Sequence, residues 1–265
     1  MSTQRINLLA KGTVEVHDPL LFARVGGRTV WNGINEVLRG RDDAPVIRVQ
    51  HELGVRFDQV LQAPRDVPPE LSARALRLGE FALESQFGTR VFSADADAVV
   101  LSIFPDVVQR PMVHREEGYL FCAANVAEWT LEDRAWVLER FAPQPPLGPD
   151  ESMANLASVV ERIRARRDCP VLVMNASPAV PGEKLHWYLG ARDALSVRIR
   201  RFNLALIDLA TSMSISIVDV EAALARVGTD RAKISVVHYT PAGHRAIAEE
   251  VVRVLTEHGL WRRAG

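Results

Sequence analysis

The hydroxyl and ionisable side chains of this sequence crowd into a few short stretches between apolar runs. The richest lies near the C-terminus, where Ser235-Val-Val-His238-Tyr239-Thr-Pro241-Ala-Gly243-His244 sets a histidine in a loop just ahead of a helix with proline in its first turn. An imidazole in such a loop is well suited to move protons near neutral pH, because its ordinary pKa falls there. His238 is therefore the first candidate for a general base. A hydroxyl it could activate stands at Thr13, within Lys11-Gly12-Thr13-Val14-Glu15-Val16-His17-Asp18. Threonine serves as an acyl nucleophile when a neighbouring base takes its proton. The plainer reading of Thr13 is a turn residue that satisfies backbone groups. A partner to orient His238 could be Ser235, three residues earlier and uncharged, or an aspartate from another loop, Asp230 or Asp219. Ser102 and Ser177 are further hydroxyls at expected strand ends.

A second constellation consists of His17, Asp18, His51, Glu52 and His114. Imidazole and carboxylate ligands suit zinc or iron. No H-x-x-x-H or H-E-x-x-H spacing accompanies them, so side chains that bond one another around a polar pocket are the favoured reading, and no metal is expected. Lys11, Arg110 and Arg115 could hold a carboxylate or phosphate, or could simply be exposed. Gly12 and Gly26-Gly27 make neither G-x-G-x-x-G nor a Walker pattern, so no nucleotide is implied and no cofactor is expected.

These residues need elements to place them. Five short apolar runs read as buried strands: Ile6–Ala10, Val46–Gln50, Ala98–Ile103, Val171–Asn175 and Ile215–Val220. Continuous apolar character, without alternation, suits strands covered on both faces. Between them the period predicts helices over Trp31–Arg39, Leu71–Gln86, Ser152–Arg167, Leu195–Met213 and Pro241–Leu255. Strand-then-helix alternation argues for right-handed crossovers and a parallel sheet between helical layers. Ligands of such sheets sit beyond the carboxyl ends of the strands. That rule selects the stretches after Ala10, Gln50, Ile103, Asn175 and Val220, and with them Lys11, Gly12, Thr13, His51, Glu52, Gly54, Ser102, Asp106, Asn175, Ser177, His186 and, later, Tyr239. Residues 1–265 are expected to form one domain, with an insertion around 106–150. Pro143–Pro149 is read as a long loop inside that domain. Trp129, Trp136 and Trp187 could line a pocket or an interface, or pack in the core.

Composition narrows the classes. A formal net charge of −1, from 32 basic and 33 acidic residues, gives no long-range attraction for nucleic acid or an anionic membrane. The run Arg162, Arg164, Arg166, Arg167 reads as a solvated helix face. No apolar run approaches the ~20 residues of a membrane span, and the N-terminal residues lack the pattern of a signal peptide. Two cysteines, Cys122 and Cys169, do not suggest a disulfide framework, and Cys169 reads as a buried core thiol. A cytoplasmic protein with a small-molecule partner is expected, and self-association into a homo-oligomer is compatible with the sequence.

The stretch around His238 resembles the last sequence block of the SGNH/GDSL hydrolase superfamily, Asp-x-x-His followed by a turn and Gly-[His/Tyr]-x-x-[Ile/Leu]-Ala, here Gly243-His244-Arg245-Ala246-Ile247-Ala248. The opening strand, the helix near Trp31, a second strand ending near Gly54, and Asn203 followed by Ile217-Val218-Asp219 are similar in outline. The resemblance implies a flavodoxin-like three-layer α/β/α fold with a five-stranded parallel sheet of order 2-1-3-4-5. It also implies cleavage of esters, thioesters or acetyl groups by a serine, a histidine base and an aspartate, with the oxyanion held by backbone amides and an asparagine. His238 matches the base and Gly54 the oxyanion glycine. Elsewhere the chain departs from the pattern. Gly12-Thr13-Val14 stands where Gly-Asp-Ser is usual, and His17-Asp18-Pro19-Leu20 looks like Gly-Asp-Ser-Leu with glycine and serine replaced. Phe104-Pro105-Asp106 keeps only the aspartate of Gly-x-Asn-Asp, and Ser235 replaces the acid before His238. Loss of that negative charge alone costs about 10⁴ in turnover in a serine protease. The expectation is a hydrolase or acyltransferase with His238 as general base. Its alternatives are an inactive pseudo-hydrolase that binds a ligand or partner, and a metal-assisted hydrolase using His17, His51 and His114.

Overall fold

A computed structural model describes residues 4–41, 44–64, 66–179, 181, 183 and 193–261. Five strands, Arg5–Gly12 (β1), Val46–Leu53 (β2), Ala98–Ser102 (β3), Val171–Met174 (β4) and Ser216–Val218 (β5), form a parallel sheet in the order β2-β1-β3-β4-β5. Every residue of β3 and β4 is buried, as their unbroken apolar character requires. Side chains of a strand alternate between faces, and each face has its own helices. Ile6, Leu8, Ala10, Val100 and Leu172 meet Val14–Leu21 (α1), Ile34–Leu38 (α2), Val220–Val227 (α6) and Pro241–Glu257 (α7). Leu9, Val99, Leu101 and Val173 meet Phe57–Gln62 (α3), Pro149–Arg164 (α4) and Leu195–Met213 (α5). This is the three-layer α/β/α architecture with the expected strand order.

A third apolar cluster lies apart from both layers. Leu71, Leu78, Phe87, Tyr119, Phe121, Trp129, Val137 and Phe141 pack together beside a small antiparallel sheet of Met112–His114, Leu120–Phe121 and Phe141–Pro143. It corrects one expectation. Leu71–Gln86 is not a helix, and only the single turns Pro69–Ser72 and Leu83–Gln86 are helical. Gly79 turns the chain with φ +58°, and Leu71, Leu78 and Phe87 drop into the third core. Trp129 belongs to this core, and Trp136 packs against it under the Arg74 guanidinium. Trp187 and His186 lie outside the described residues.

Trp31 likewise does not open a helix. It ends a hairpin, Phe22–Val25 with Arg28–Trp31, closed by Gly26 and Gly27. Both glycines have positive φ, the two-residue turn whose twist suits paired strands. The arginines of 162–167 are more than a solvated face: Arg164 donates to the Met213 and Ser214 carbonyls, Arg167 to that of Val91, and Arg162 lies over the Phe92 ring. The stretch before α4 is tied down in the same way, by Arg56 on the Pro145 carbonyl at 3.1 Å and Arg198 on that of Leu147 at 2.6 Å. Cys122 and Cys169 are buried free thiols. No helix among the described residues is long and apolar enough to cross a membrane.

Candidate active site

β1 and β2 end side by side, with Gly12 opposite Leu53. The chain turns sharply from β1 into α1, and Gly12 has no room for a side chain: a Cβ would lie 2.2 Å from a Val16 methyl. Gly54 approaches so closely that its Cβ would lie 2.5 Å from the Gly12 Cα, and its N–H donates to the Gly12 carbonyl at 2.8 Å. The amide matched to the oxyanion glycine is thus already engaged.

Thr13 is the N-cap of α1, whose Val16 and Leu20 face the core four residues apart. The Thr13 hydroxyl does not cap the helix. It donates to Oε2 of Glu15, while the Thr13 N–H donates to Oε1 at 3.0 Å. Glu15 is 4% exposed. Burial pushes its carboxyl above the ordinary range, and hydrogen bonds from Thr13, its own amide and Ser102 act against that shift.

The neighbouring strand-end groups are mutually satisfied. Lys11 is buried and pairs with Glu52 at 3.1 Å, also donating to the Leu53 carbonyl at 3.1 Å; burial lowers its pKa against the pull of Glu52. His51 donates through Nε2 to the Gly12 carbonyl at 2.8 Å, since a carbonyl can only accept. Burial drops its pKa to about 4, so this imidazole is neutral near pH 7. The His17 ring meets it edge-on with centroids 4.8 Å apart, and His17 Nδ1 lies 2.8 Å from an Asp18 carboxylate oxygen. Thr13, Val14, His17, Asp18, His51 and Glu52 share the wall of one pocket of about 650 Å³ with Glu80, Glu84, Gly88 and Arg90.

His238 is exposed, and its Nδ1 lies 2.8 Å from the Ser235 hydroxyl. Among the described residues no carboxylate bonds it. Asp230 is exposed on the turn Thr229–Ala232. Asp219 instead caps α6 and accepts from Asn175, whose own Oδ1 accepts from the Val220 amide, so this pair joins β4 to α6. Asp106 accepts from the Phe57 amide at 2.8 Å and the Ser152 hydroxyl at 2.6 Å, and burial raises its pKa to about 7. It locks α3 to α4. Tyr239 is buried, its phenol pushed well above the usual range by burial and then by the charge of Glu15.

His114 does not join His17 and His51. It sits in the small sheet, grouped with Glu70 and Glu117. Its Nδ1 accepts from the amides of Glu116 and Glu117, which leaves the proton on Nε2, 2.8 Å from a Glu70 oxygen. Neither nitrogen then offers a lone pair to a metal ion, and the three-histidine arrangement is not formed.

Two residues escaped the sequence reading. Glu15 carried no motif, although its place two residues after the hydroxyl was visible. Lys233 is 5% exposed and donates to the Ser177 and Ala179 carbonyls at 3.3 and 2.5 Å. Burial lowers its pKa to about 8.

No family model and no curated protein matches the chain. Solved structures do. An acetylxylan esterase, Axe2 from Geobacillus stearothermophilus, is similar over 95% of this chain and 94% of its own at 16% identity, with a TM-score of 0.52. LAE5, an α/β hydrolase enzyme from the metagenome of Lake Arreo, Spain, is similar over 96% of this chain and 97% of its own, also at 16% identity, with a TM-score of 0.53. At such identities the likeness is one of fold, and it covers nearly the whole chain.

Proposed function

Because this chain has the SGNH-hydrolase fold, we propose that it cleaves or transfers the acyl group of a small-molecule ester, thioester or acetyl compound, with Thr13 as the nucleophile. The observation that carries this reading is the place of Thr13. It follows directly on β1, lines the pocket, and donates its hydroxyl to a buried carboxylate. A hydroxyl beside a proton acceptor is the arrangement that nucleophilic acyl transfer requires. Val14, next on the pocket wall, begins α1, and a helix leaves its first amides without intrahelical partners. Those amides and the positive end of the helix dipole favour negative charge forming on an attacked carbonyl. His238 keeps the place of a base, but Ser235 can only orient its ring, without the charge that would stabilise imidazolium.

Acetyl esters are the first substrates to try, since one similar fold belongs to an acetylxylan esterase. The native protein is expected to turn over p-nitrophenyl acetate and to take a covalent fluorophosphonate label. Thr13→Ala should abolish both while leaving the thermal melt near native. A second reading, a ligand-binding pseudo-hydrolase, is favoured by the engaged Gly54 amide and by Pro105 and Ser235 in place of asparagine and aspartate. Absence of turnover on a broad ester panel, with no adduct, would decide for it.

A further inference from the structure

We infer that Glu15 is the catalytic base that takes the Thr13 proton, in place of the histidine in the last loop; the inference rests on the proposal that Thr13 attacks an acyl carbon. The geometry is direct. One carboxylate oxygen accepts from the Thr13 hydroxyl and the other holds the Thr13 amide at 3.0 Å, so the hydroxyl and its acceptor keep a fixed relation. His238 bonds Ser235, and no hydrogen bond joins it to Thr13 among the described residues.

A helix-capping role is the bland alternative. Capping carboxylates stabilise helix starts by reaching back to the N-cap amide from the third helical position. Glu15 is the second helical residue, and it takes the hydroxyl as well as the amide. It is also buried, where a carboxylate is costly unless it is bonded. Facing it are Ser102 from the end of β3 and Tyr239 from the loop before α7. The charge of Glu15 acts on the Tyr239 phenol, which stays neutral at ordinary pH. Burial therefore makes Glu15 a stronger base than an exposed glutamate, the property that general-base catalysis near neutral pH needs.

The step balances with the groups present. The Thr13 O–H bond breaks and its proton passes to Glu15 Oε2. The freed oxygen pair forms the bond to the acyl carbon, and the carbonyl pair moves onto oxygen. Collapse breaks the bond to the leaving group, which departs with the proton from Glu15. Water then attacks the acyl-Thr13 ester as Glu15 takes its proton, and expulsion of the Thr13 oxygen, reprotonated by Glu15, restores both residues.

The test is the kcat–pH profile on p-nitrophenyl acetate for native protein, Glu15→Gln, Glu15→Asp and His238→Ala, with circular dichroism and thermal melts to show folding. Native turnover is expected to fall as pH drops through an acid limb lying above the range of an exposed glutamate. Glu15→Gln should lower kcat by about 10²–10⁴, the usual share of a general base, and remove that limb. Glu15→Asp, which retains a carboxylate, should recover part of the rate and keep a limb. An acid limb that persists in folded Glu15→Gln, or one that His238→Ala removes, overturns the assignment. Should Glu15→Gln fail to fold, a native acid limb in the ordinary histidine range that His238→Ala abolishes does the same. No turnover by the native protein overturns the assignment together with the acyl-transfer reading beneath it, so the two failures are distinguishable.

Discussion

Gly54 can be no other residue without a shift of backbone. Its missing side chain is the space into which Gly12 fits, and Gly12 in turn leads to Thr13. Gly54→Ala would press a methyl against main-chain atoms that cannot swing away as a side chain can. A loss of about 1–3 kcal/mol is expected in denaturant melts, the usual cost of forcing an extra carbon into a packed site, with a drop in any turnover because the β1–α1 corner moves. Asp106 makes a different statement. Its carboxyl holds a proton up to about pH 7 in the folded chain, against an ordinary 3.8. The folded state thus binds a proton that the unfolded state has released, and the contribution present below pH 4 is lost as pH rises through 7. At about 1.4 kcal/mol per unit, the loss is of order 4 kcal/mol at most. Asp106→Asn should flatten the dependence of the urea midpoint on pH between 4 and 7; an unchanged slope would refute the assignment.

Among the elements, the small sheet and the turns around residue 79 stand on one ring. Phe141 is fully buried and touches the rings of His114, Tyr119, Phe121 and Trp136 at centroid distances of 5.0 to 5.8 Å. Phe141→Ala should cost about 3–5 kcal/mol, the range for deleting a buried aromatic. The loss should show as exposure of Trp129 and Trp136 in fluorescence. Apolar residues at helical spacing between Leu71 and Gln86 concealed this arrangement. Period reports which side chains seek burial, and a third core could satisfy them without a helix once Gly79 reversed the chain. The hairpin was hidden for the opposite reason. Gly26-Gly27 is a local turn signal, but the strands it joins are exposed or half-buried and carry little apolar pattern.

Over the whole molecule, the sheet orders local stability as it orders the site. β1, β3 and β4 are covered on both faces, whereas among the described residues the hairpin Phe22–Trp31 pairs only with itself. Amide hydrogen exchange should be slowest in those three strands and fastest in the hairpin, since protection follows buried contacts. Rapid exchange in β3 would contradict the layered packing.

The sequence by itself determined the five strands, the helices expected over Ser152–Arg167, Leu195–Met213 and Pro241–Leu255, and the strand order that its resemblance implied, because burial leaves an apolar record, unbroken in β3 and β4 and at helical period in the helices. It also marked Thr13, His51 and Glu52 as strand-end residues, by the simple rule that such sheets present their carboxyl ends. Only the tertiary structure decided which groups meet. Hydrogen bonds between distant residues leave no spacing to read: that the Gly54 amide is spent on Gly12, that His114 turns to Glu70, and that His238 has a hydroxyl for its partner all depend on how elements dock. Glu15 is the sharpest case. In sequence it is one glutamate among many, and it becomes a buried acceptor for Thr13 because β1, β3 and the loop before α7 converge on it and exclude water.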